Sequence, residues 1–488
     1  MHTSSTHRSV TTGHWLCLLG SFLTLLSLTA CKAKSPAECA PLSAPVAPAV
    51  PDPAGRAVAE PTDKIAFIYD QSVLRTFELK LSEADLAILD GNPAAEKYVP
   101  GKLVFEGKEY GPVGIRYKGS VGAWIGCVAD STPEDPLRVS GAKTCAKLSM
   151  KVSFNEYDPN GKFFGVKKLQ FHAMNSDESM MRERLGYWLF RQMGVPAPRA
   201  VHARLLVNGK YQGVFINVEE IDSRFTRSHF ADGEGNLYKE IWPTWVDGLT
   251  SPVTAENWKS GLQTNQDTNP SFDKALQFGR AVMQEGGDAR AQALQSWLST
   301  PSMLRLIAVD RTIRHDDGPF HFYCTEEGCG NHNFYLYEEQ NAPRMWLIPW
   351  DLDHSFAVTG ELQTPTDSFL HVVNEWDDHT AVCEQRPGLE PGPIKQFSPS
   401  CDPLLNGLGC YFQDEYQRAL DELLTGPFSA SVVEQKVSAW QAQISTAVSD
   451  ANTADPRQLS PTVWAAALRD LRLRIEFLRN QASSGRAH

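Results

Sequence analysis

Two aspartates follow an apolar run in the C-terminal half of the chain. Residues 345–349 are typical of a buried strand, and Asp351 and Asp353 come just after it, separated by one residue. Because side chains alternate along an extended chain, residues two positions apart are expected to face the same side. Two hard oxygen ligands that point one way are what Mg²⁺ needs when it also holds the phosphates of a substrate. The pair therefore predicts a site for a divalent cation.

Other polar residues of the same character accompany this pair. Asn333 stands at the head of a predicted strand over 333–337 and offers a neutral amide oxygen to the same cation. Asp317 lies in a glycine-containing loop after a predicted helix over 300–314, where a carboxylate can accept a proton or orient a nucleophile. Each aspartate taken alone is more typical of a turn cap than of a functional site. The whole set, in which apolar residues lead to each carboxylate, favours a functional site.

Strands dominate the sequence that precedes this block. Residues 147–154 alternate between polar and apolar types, which predicts a strand with Lys147 and Lys151 on one face. Asn208-Gly209 between two alternating runs is a strong hairpin signal. A helix is predicted over 179–193 from its apolar spacing. Further strands are predicted over residues 65–69, 77–81, 111–119, 201–207 and 211–218.

Helices dominate the end of the chain. Three apolar stripes at helical spacing lie within residues 412–423, 433–448 and 464–478. Residues 242–295 give no clear pattern. Strands first and helices later indicate an α+β protein in two lobes. We expect a strand-rich N-lobe over 63–241, and a C-lobe over 242–488 that contains the polar block 315–356 and a helical tail.

The N-terminus carries an export signal. Residues 1–30 combine a weakly basic start, a short apolar core and a small-residue cleavage site, as in a secretory signal peptide. The run 28–31 (Leu-Thr-Ala-Cys) resembles a bacterial lipobox, which implies a lipoprotein signal peptide and a lipid on Cys31. A signal peptide with an incidental cysteine is the alternative. Residues 31–62 are rich in proline and alanine and predict an extended tether. We therefore expect an exported protein, lipid-anchored to the cell envelope at the outer membrane or cell surface.

Eight cysteines remain after Cys17 and Cys31 are set aside, an even number that suits disulfides in an oxidising compartment. Proximity in the sequence suggests three pairs and leaves one: Cys127–Cys145, Cys324–Cys329, Cys401–Cys410, and Cys39 with Cys383. Connectivity cannot be deduced from spacing. A zinc site made of Cys324, Cys329, His321 and His332 is an alternative.

Composition excludes several protein classes. The 488 residues are 42% hydrophobic, which is enough for a large core and too much for a disordered chain. The 46 basic and 58 acidic residues give a net charge of −12, which argues against nucleic acid as a partner. Membrane contact is expected through the N-terminal lipid only.

Several motifs, in order, resemble the spore coat protein H (CotH) kinase family, a family of atypical kinase-like proteins. The resemblance runs from about residue 65 to 478, and its final block, 348–356, is the most specific part. The matching segments are residues 114–120, 147–152, 181–185, 208–215 with Glu219 and Asp222, 236–239, 317–318, 333–337 and 348–356.

The resemblance implies a two-lobed, atypical protein-kinase-like fold that transfers phosphate from ATP to an unidentified protein acceptor with Mg²⁺ or Mn²⁺. It makes Asp317 the catalytic aspartate that orients the acceptor hydroxyl. Asn333 and Asp351 would hold the metal ions, with Asp353 in support. The remaining roles implied are Lys147 for the nucleotide phosphates, Lys151 as second candidate, and Glu183 as the partner of that lysine.

Departures from ordinary kinases leave two other functions open. The chain has no G-x-G-x-x-G, H-R-D or D-F-G sequence, and a cysteine-containing insertion at 320–330 separates Asp317 from Asn333. One alternative is a non-catalytic surface lipoprotein on a kinase-like scaffold. The other is a metal-dependent hydrolase whose ligands would be His315, Asp317, Asp351, Asp353 and His354.

Overall fold

A computed structural model describes residues 39–43, 64–119, 121–124, 126–129, 141–244, 252–325, 328–356, 375–387 and 395–484. The predicted signal peptide, Cys31 and the tether apart from residues 39–43 lie outside these ranges and stay predictions. Within them, no helix combines the length and apolar character that crossing a lipid bilayer requires.

Seven strands form a closed barrel in the N-terminal part. They are β1 (Arg75–Lys80), β2 (Val99–Phe105), β3 (Lys108–Tyr117), β4 (Met150–Ser153), β5 (Lys168–His172), β6 (Ala200–Val207) and β7 (Lys210–Val218). They lie in the order β1-β2-β3-β4-β5-β7-β6, and parallel pairing of β1 with β6 closes the barrel. Inward-facing side chains make one apolar core, in which the Phe77 ring stacks on Phe105 at 4.8 Å.

The hairpin of β6 and β7 forms where the sequence predicts it. Asn208 (φ 48°) and Gly209 (φ 75°) both adopt positive φ, as the two central residues of a type I′ turn must. The predicted strand over 65–69 is wrong. Those residues form most of a short helix, α1 (Lys64–Ile68), because Ile65 and Ile68 lie one turn apart and both pack into the barrel core.

Helices and two small sheets make up the rest. The helices are α2 (Glu83–Gly91), α3 (Val121–Trp124), α4 (Arg182–Gln192), α5 (Ser223–His229), α6 (Ala255–Gly261), α7 (Asp273–Val282), α8 (Gly287–Trp297), α9 (Thr300–Thr312), α10 (Pro403–Tyr411), α11 (Gln413–Thr425), α12 (Ala430–Ala454) and α13 (Pro461–Ser484). One sheet has the order β12-β11-β8, made of β8 (Asn236–Lys239), β11 (Phe334–Glu338) and β12 (Met345–Pro349). The other has the order β10-β9-β14-β13, made of β9 (Phe322–Thr325), β10 (Gly328–Gly330), β13 (Arg386–Pro387) and β14 (Lys395–Phe397).

A second apolar core joins these elements, and it includes α4, which the chain inserts between β5 and β6. We refer to α4 and the described residues from 219 to 484 as the C-terminal lobe. The predicted α+β class and the helical C-terminal part are confirmed. Because β8 pairs with β11, residues 236–239 belong to this second sheet and not to the barrel, and the predicted lobe boundary at residue 241 stays a prediction. Residues 242–295, which gave no pattern, contain α6, α7 and most of α8.

Four disulfides link the eight cysteines. Cys127–Cys145 and Cys324–Cys329 form as predicted. The other two predicted pairs are wrong, because proximity in the sequence does not reveal which segments fold together. The bonds present are Cys39–Cys410 and Cys383–Cys401. Since Cys324 and Cys329 are bonded to each other, neither offers a thiolate to the zinc site considered above.

Candidate active site

The outer face of the barrel contributes a lysine and a histidine to the site. Tyr117 and Phe171 point into the barrel core, so the residue after each of them faces outward: Lys118, just beyond β3, and His172, at the end of β5. The Lys118 amide donates to the Ser149 carbonyl at 2.9 Å, which extends the pairing of β3 with the chain that enters β4. The two outward side chains thereby face the C-terminal lobe.

Lys118, His172 and Glu183 form a hydrogen-bonded chain. The Lys118 Nζ lies 2.6 Å from His172 Nε2, and His172 Nδ1 lies 2.9 Å from Glu183 Oε1. A neutral imidazole with its proton on Nδ1 satisfies both contacts, because Nε2 then accepts from the ammonium while Nδ1 donates to the carboxylate. Glu183 sits in the first turn of α4, where a helix favours negative charge. The histidine therefore links the lysine to the helix.

Burial sets the charge states of this chain. It lowers the pKa of His172 well below its usual value, and the nearby Lys118 ammonium acts in the same direction. Burial also lowers the pKa of Lys118 to about 8, although the Asp351 carboxylate opposes the shift. Burial and the Asp351 charge raise the pKa of Glu183. His172 is thus held neutral between the other two groups.

Asp351 is held through its backbone. Its amide donates to Tyr187 Oη at 3.0 Å, and its carbonyl accepts from His315 Nε2 at 3.0 Å. His315 Nδ1 lies 3.1 Å from the buried Asp310 carboxylate, which orients the ring. Asp351 has φ 52°, a left-handed conformation uncommon for a residue with a side chain. Fixing both ends of the residue maintains that conformation.

The carboxylate of Asp351 is recessed, and no described residue donates a hydrogen bond to it. Burial raises its pKa, as do the charges of Asp353 and Asp317, while His172 and Lys118 lower it. A recessed carboxylate that lacks hydrogen bonds is costly unless a cation compensates it. Asp351 is therefore suited to hold a cation.

Asp317 and Asn333 lie together, as predicted. The Asn333 Nδ2 donates to Asp317 Oδ2 at 2.8 Å and to the Asp317 carbonyl at 2.9 Å. The Tyr323 hydroxyl donates to Asp317 Oδ1 at 2.7 Å. The Trp350 amide donates to the Asn333 carbonyl at 3.0 Å, which ties this pair to the residue before Asp351. With Nδ2 used, the Asn333 side-chain oxygen can face a metal ion.

Asp353 takes a different direction from the one predicted. The strand ends at Pro349 and a 3₁₀ turn covers Leu352–His354, so the alternation that would align the two aspartates does not apply. Asp353 Oδ2 accepts from Ser176 Oγ at 2.7 Å, and its carbonyl accepts from Arg182 Nη1 at 3.2 Å. Ser176 and Arg182 also line a cavity of about 500 Å³ between the start of α4 and α13.

The predicted nucleotide lysines do not reach Asp351. Lys147 Nζ donates to the Val214 carbonyl at 2.7 Å and lies 5.1 Å from the Phe215 ring, and burial lowers its pKa to about 7. Lys151 Nζ donates to Glu220 at 3.2 Å. β4 begins at Met150, so Lys147 precedes the strand and the alternation that paired it with Lys151 fails. The implied pairing of Glu183 with Lys147 is corrected to His172, and Lys118 is the lysine beside Asp351.

The donor set fits a hard divalent cation. Ligand atoms of His172, Glu183 and Asp351 lie within 4.8 Å of one another. Both ring nitrogens of His172 are already engaged, which leaves carboxylate and amide oxygens as the available donors. Oxygen donors of this kind suit Mg²⁺ or Mn²⁺. His315 is likewise engaged at both nitrogens, which disfavours the hydrolase set that used it as a ligand.

Sequence reasoning missed Lys118, His172 and Tyr323. Lys118 belongs to the motif at 114–120 and stands two positions after Arg116, so the period of a strand could have placed it on the outer face. No pattern in the sequence indicates that His172 meets Glu183 or that Tyr323 meets Asp317, because both contacts depend on how distant elements pack.

Known proteins with similar sequences indicate the family of this chain. The profile described as CotH kinase protein matches residues 115–482. Two relatives come from Bacillus subtilis (strain 168): inner spore coat protein H is 32% identical over 221 residues, and inner spore coat protein H-like protein is 31% identical over 94 residues. These matches cover 45% and 19% of this chain, and 58% and 29% of the respective relatives.

A solved structure also aligns with this chain. The crystal structure of a Helicobacter pylori proinflammatory kinase, CtkA, aligns with 65% of this chain and 97% of its own at 10% identity, with a TM-score of 0.23. The profile match covers most of the chain, including Lys118, Asp317, Asn333 and Asp351. The chain therefore belongs to the CotH kinase protein family.

Proposed function

We propose that this protein transfers the terminal phosphate of ATP to a hydroxyl group of another protein, with Mg²⁺ or Mn²⁺ as cofactor. The observation that carries the proposal is the convergence of Asp317, Asn333 and the recessed Asp351 opposite Lys118. Phosphoryl transfer needs positioning and charge neutralisation more than covalent chemistry, and this arrangement supplies both.

Each residue of the site has a role in this reaction. Asp317 accepts the proton of the acceptor hydroxyl. The hydroxyl oxygen forms a bond to the terminal phosphorus of ATP, and the bond between that phosphorus and ADP breaks. Asn333 and Tyr323 orient the Asp317 carboxylate. Asp351 and Asn333 would hold a divalent cation that neutralises the phosphate charge. Asp353, whose Oδ2 accepts from Ser176, would support them through its nearby negative charge.

Lys118 supplies a positive charge to the phosphates in this proposal, and His172 with Glu183 holds its ammonium group in place. The assignments of Lys147 and Lys151 to the nucleotide stay predictions, but their hydrogen bonds to Val214 and Glu220 favour structural roles. The site is therefore one in which a histidine stands between the lysine and the helix carboxylate.

We also propose that the chain is exported and anchored to the cell envelope by a lipid on Cys31, with no nucleic-acid partner. The lipobox-like run and the net charge of −12 support this. The acceptor is proposed to be another envelope protein that meets the anchored chain.

Labelled ATP tests the reaction. The oxidised full chain, incubated with Mg²⁺ or Mn²⁺ and an envelope extract, is expected to transfer label to protein, and chelation of the metal should stop it. Asp317→Asn should lose the transfer, whereas Asp414→Asn, on the exposed first turn of α11, should keep it. Nucleotide binding without transfer in the native chain would support a non-catalytic scaffold instead. Activity with Zn²⁺ and no nucleotide would support a hydrolase.

Tyr323→Phe is expected to slow the transfer by about five- to tenfold, because Asp317 loses one hydrogen bond worth about 1 kcal/mol. The ring still stacks on His321, so β9 should keep its packing. Initial rates at saturating ATP measure the change. Tyr157→Phe, which removes an exposed hydroxyl, is the matched control. Equal rates for Tyr323→Phe and the native chain would remove Tyr323 from the mechanism.

A further inference from the structure

Residues 39–43 lie on the C-terminal lobe, although the next described residues lie on the barrel. We call residues 39–43 the strap. Cys39 of the strap is bonded to Cys410 in α10. Farther along the chain, α1 begins at Lys64, and its Ile65 and Ile68 pack into the barrel core. The chain therefore contacts the C-terminal lobe before it enters the barrel.

The strap is attached by more than its disulfide. The Ser43 amide donates to Asp288 Oδ1 at 3.0 Å, and Leu42 packs against the core of the C-terminal lobe. A Cβ atom built on Gly287, the first residue of α8, would lie 2.4 Å from the Pro41 carbonyl oxygen. The strap backbone thus rests directly on the start of α8, where a larger side chain would displace it.

The disulfide changes the length of chain between Cys31 and the folded body. Cys31 and Cys39 are eight residues apart, whereas Cys31 and Lys64 are 33 apart. A fully extended chain spans at most about 3.5 Å per residue, so the limits are about 28 Å and about 115 Å. The bond reduces the reach of an anchor at Cys31 by about fourfold.

We propose that the surface around the strap, which carries Cys410 and Asp288, faces the lipid bilayer, and that the Cys39–Cys410 bond fixes this orientation. The proposal rests on an anchor at Cys31. A tether of at most about 28 Å is shorter than a domain of this size is wide, so the anchored face must stay near the bilayer and the barrel must lie farther out. The partner of this surface is the bilayer that holds the anchor.

Energy transfer to the bilayer tests the orientation. The lipidated full chain is bound to vesicles that contain an acceptor-labelled lipid, and a fluorescent amino acid replaces Ala289, exposed on α8, or Lys108, exposed on the barrel. Transfer from position 289 is expected to exceed transfer from position 108 by at least threefold. Equal transfer from the two positions would overturn the proposal.

Two variants test the bond itself. The double variant Cys39→Ser, Cys410→Ser is expected to make energy transfer from positions 289 and 108 equal. The matched loss of another disulfide, in Cys127→Ser, Cys145→Ser, should leave transfer from position 289 the larger. If the first variant unfolds, a flexible spacer of about 25 glycine and serine residues before Cys39 lengthens the tether and leaves the disulfide intact. A difference that survives the spacer contradicts the proposal.

A second anchor separates this inference from the lipidation on which it rests. A histidine tag placed directly before Lys32 binds the chain to nickel-chelating lipid at nearly the same distance from Cys39. The difference between positions 289 and 108 should appear with this anchor as well. A mature chain whose mass shows no diacylglycerol would refute the lipid on Cys31, and the nickel-bound chain would still decide the orientation.

Discussion

Asp351→Asn is expected to lower the rate of metal-dependent phosphoryl transfer by about 10³-fold. The substitution removes the negative charge and keeps the shape of the side chain. The backbone contacts with Tyr187 and His315 do not involve the carboxylate, so the loop should keep its conformation. The loss would therefore report the missing charge. Single-turnover rates with labelled ATP at several metal concentrations measure it.

Asp353→Asn is the matched control for that experiment. Its Oδ2 accepts a hydrogen bond from Ser176, an interaction that Asp351 lacks among the described residues. We expect Asp353→Asn to lower the transfer rate by about tenfold, and a high metal concentration to restore part of that rate. An Asp351→Asn rate within threefold of the native rate would show that Asp351 does not hold the metal.

Lys118→Met and Lys147→Met should separate the two candidate lysines. Lys118 lies beside Asp351, and its loss is expected to slow transfer by about 10²-fold because the phosphates lose a cation in a recessed site. Lys147 donates to a backbone carbonyl away from that carboxylate, so Lys147→Met should stay within about threefold of the native rate. Transfer rates of both variants, measured side by side, check this. The opposite ranking would restore the sequence-based assignment of Lys147.

The pH dependence of stability tests the charge state of the buried Lys147 independently. Its pKa is about 7 in the folded chain and about 10.4 when unfolded, so the unfolded state binds more protons between these values. The free energy of unfolding of the native chain should therefore rise with pH across that window, as the folded state no longer carries the buried charge. The free energy of unfolding of Lys147→Met should exceed that of the native chain by about 2 kcal/mol at pH 6 and by less at pH 9.5. Urea unfolding at both pH values measures this, and equal differences would contradict it.

Local chemistry explains which elements could be predicted. Asn208-Gly209 specifies its own turn whatever surrounds it, and Pro301 favours the first turn of a helix, where it lies in α9. The apolar stripes of the tail also became helices, because a stripe of that spacing buries well only as a helix. Residues 65–69 failed for the converse reason. Their β-branched and aromatic side chains favour a strand, but packing against the barrel end selects a helix.

The site divides in the same way. Asp317, Asn333 and Asp351 could be grouped as candidates because each follows or precedes an apolar run whose end can be recognised in the sequence. Lys118 was missed because three lysines in or next to two neighbouring strands, at 118, 147 and 151, look alike until strand register decides which one faces Asp351. The pairing of His172 with Glu183 depends on α4 leaving the barrel to pack in the other core. Strand register and packing between lobes depend on the whole chain, so local sequence patterns do not predict these contacts.

The Cys39–Cys410 bond also bears on biogenesis. A chain that crosses a membrane N-terminus first would present Cys39 to the oxidising side while Cys410, 371 residues later, is still on the other side. Six other bonded cysteines would emerge in between, and any of them could capture Cys39. If the chain is exported in this way, as proposed above, oxidation in order of emergence would give the wrong partner, and we expect maturation to depend on late reshuffling by a thiol–disulfide isomerase.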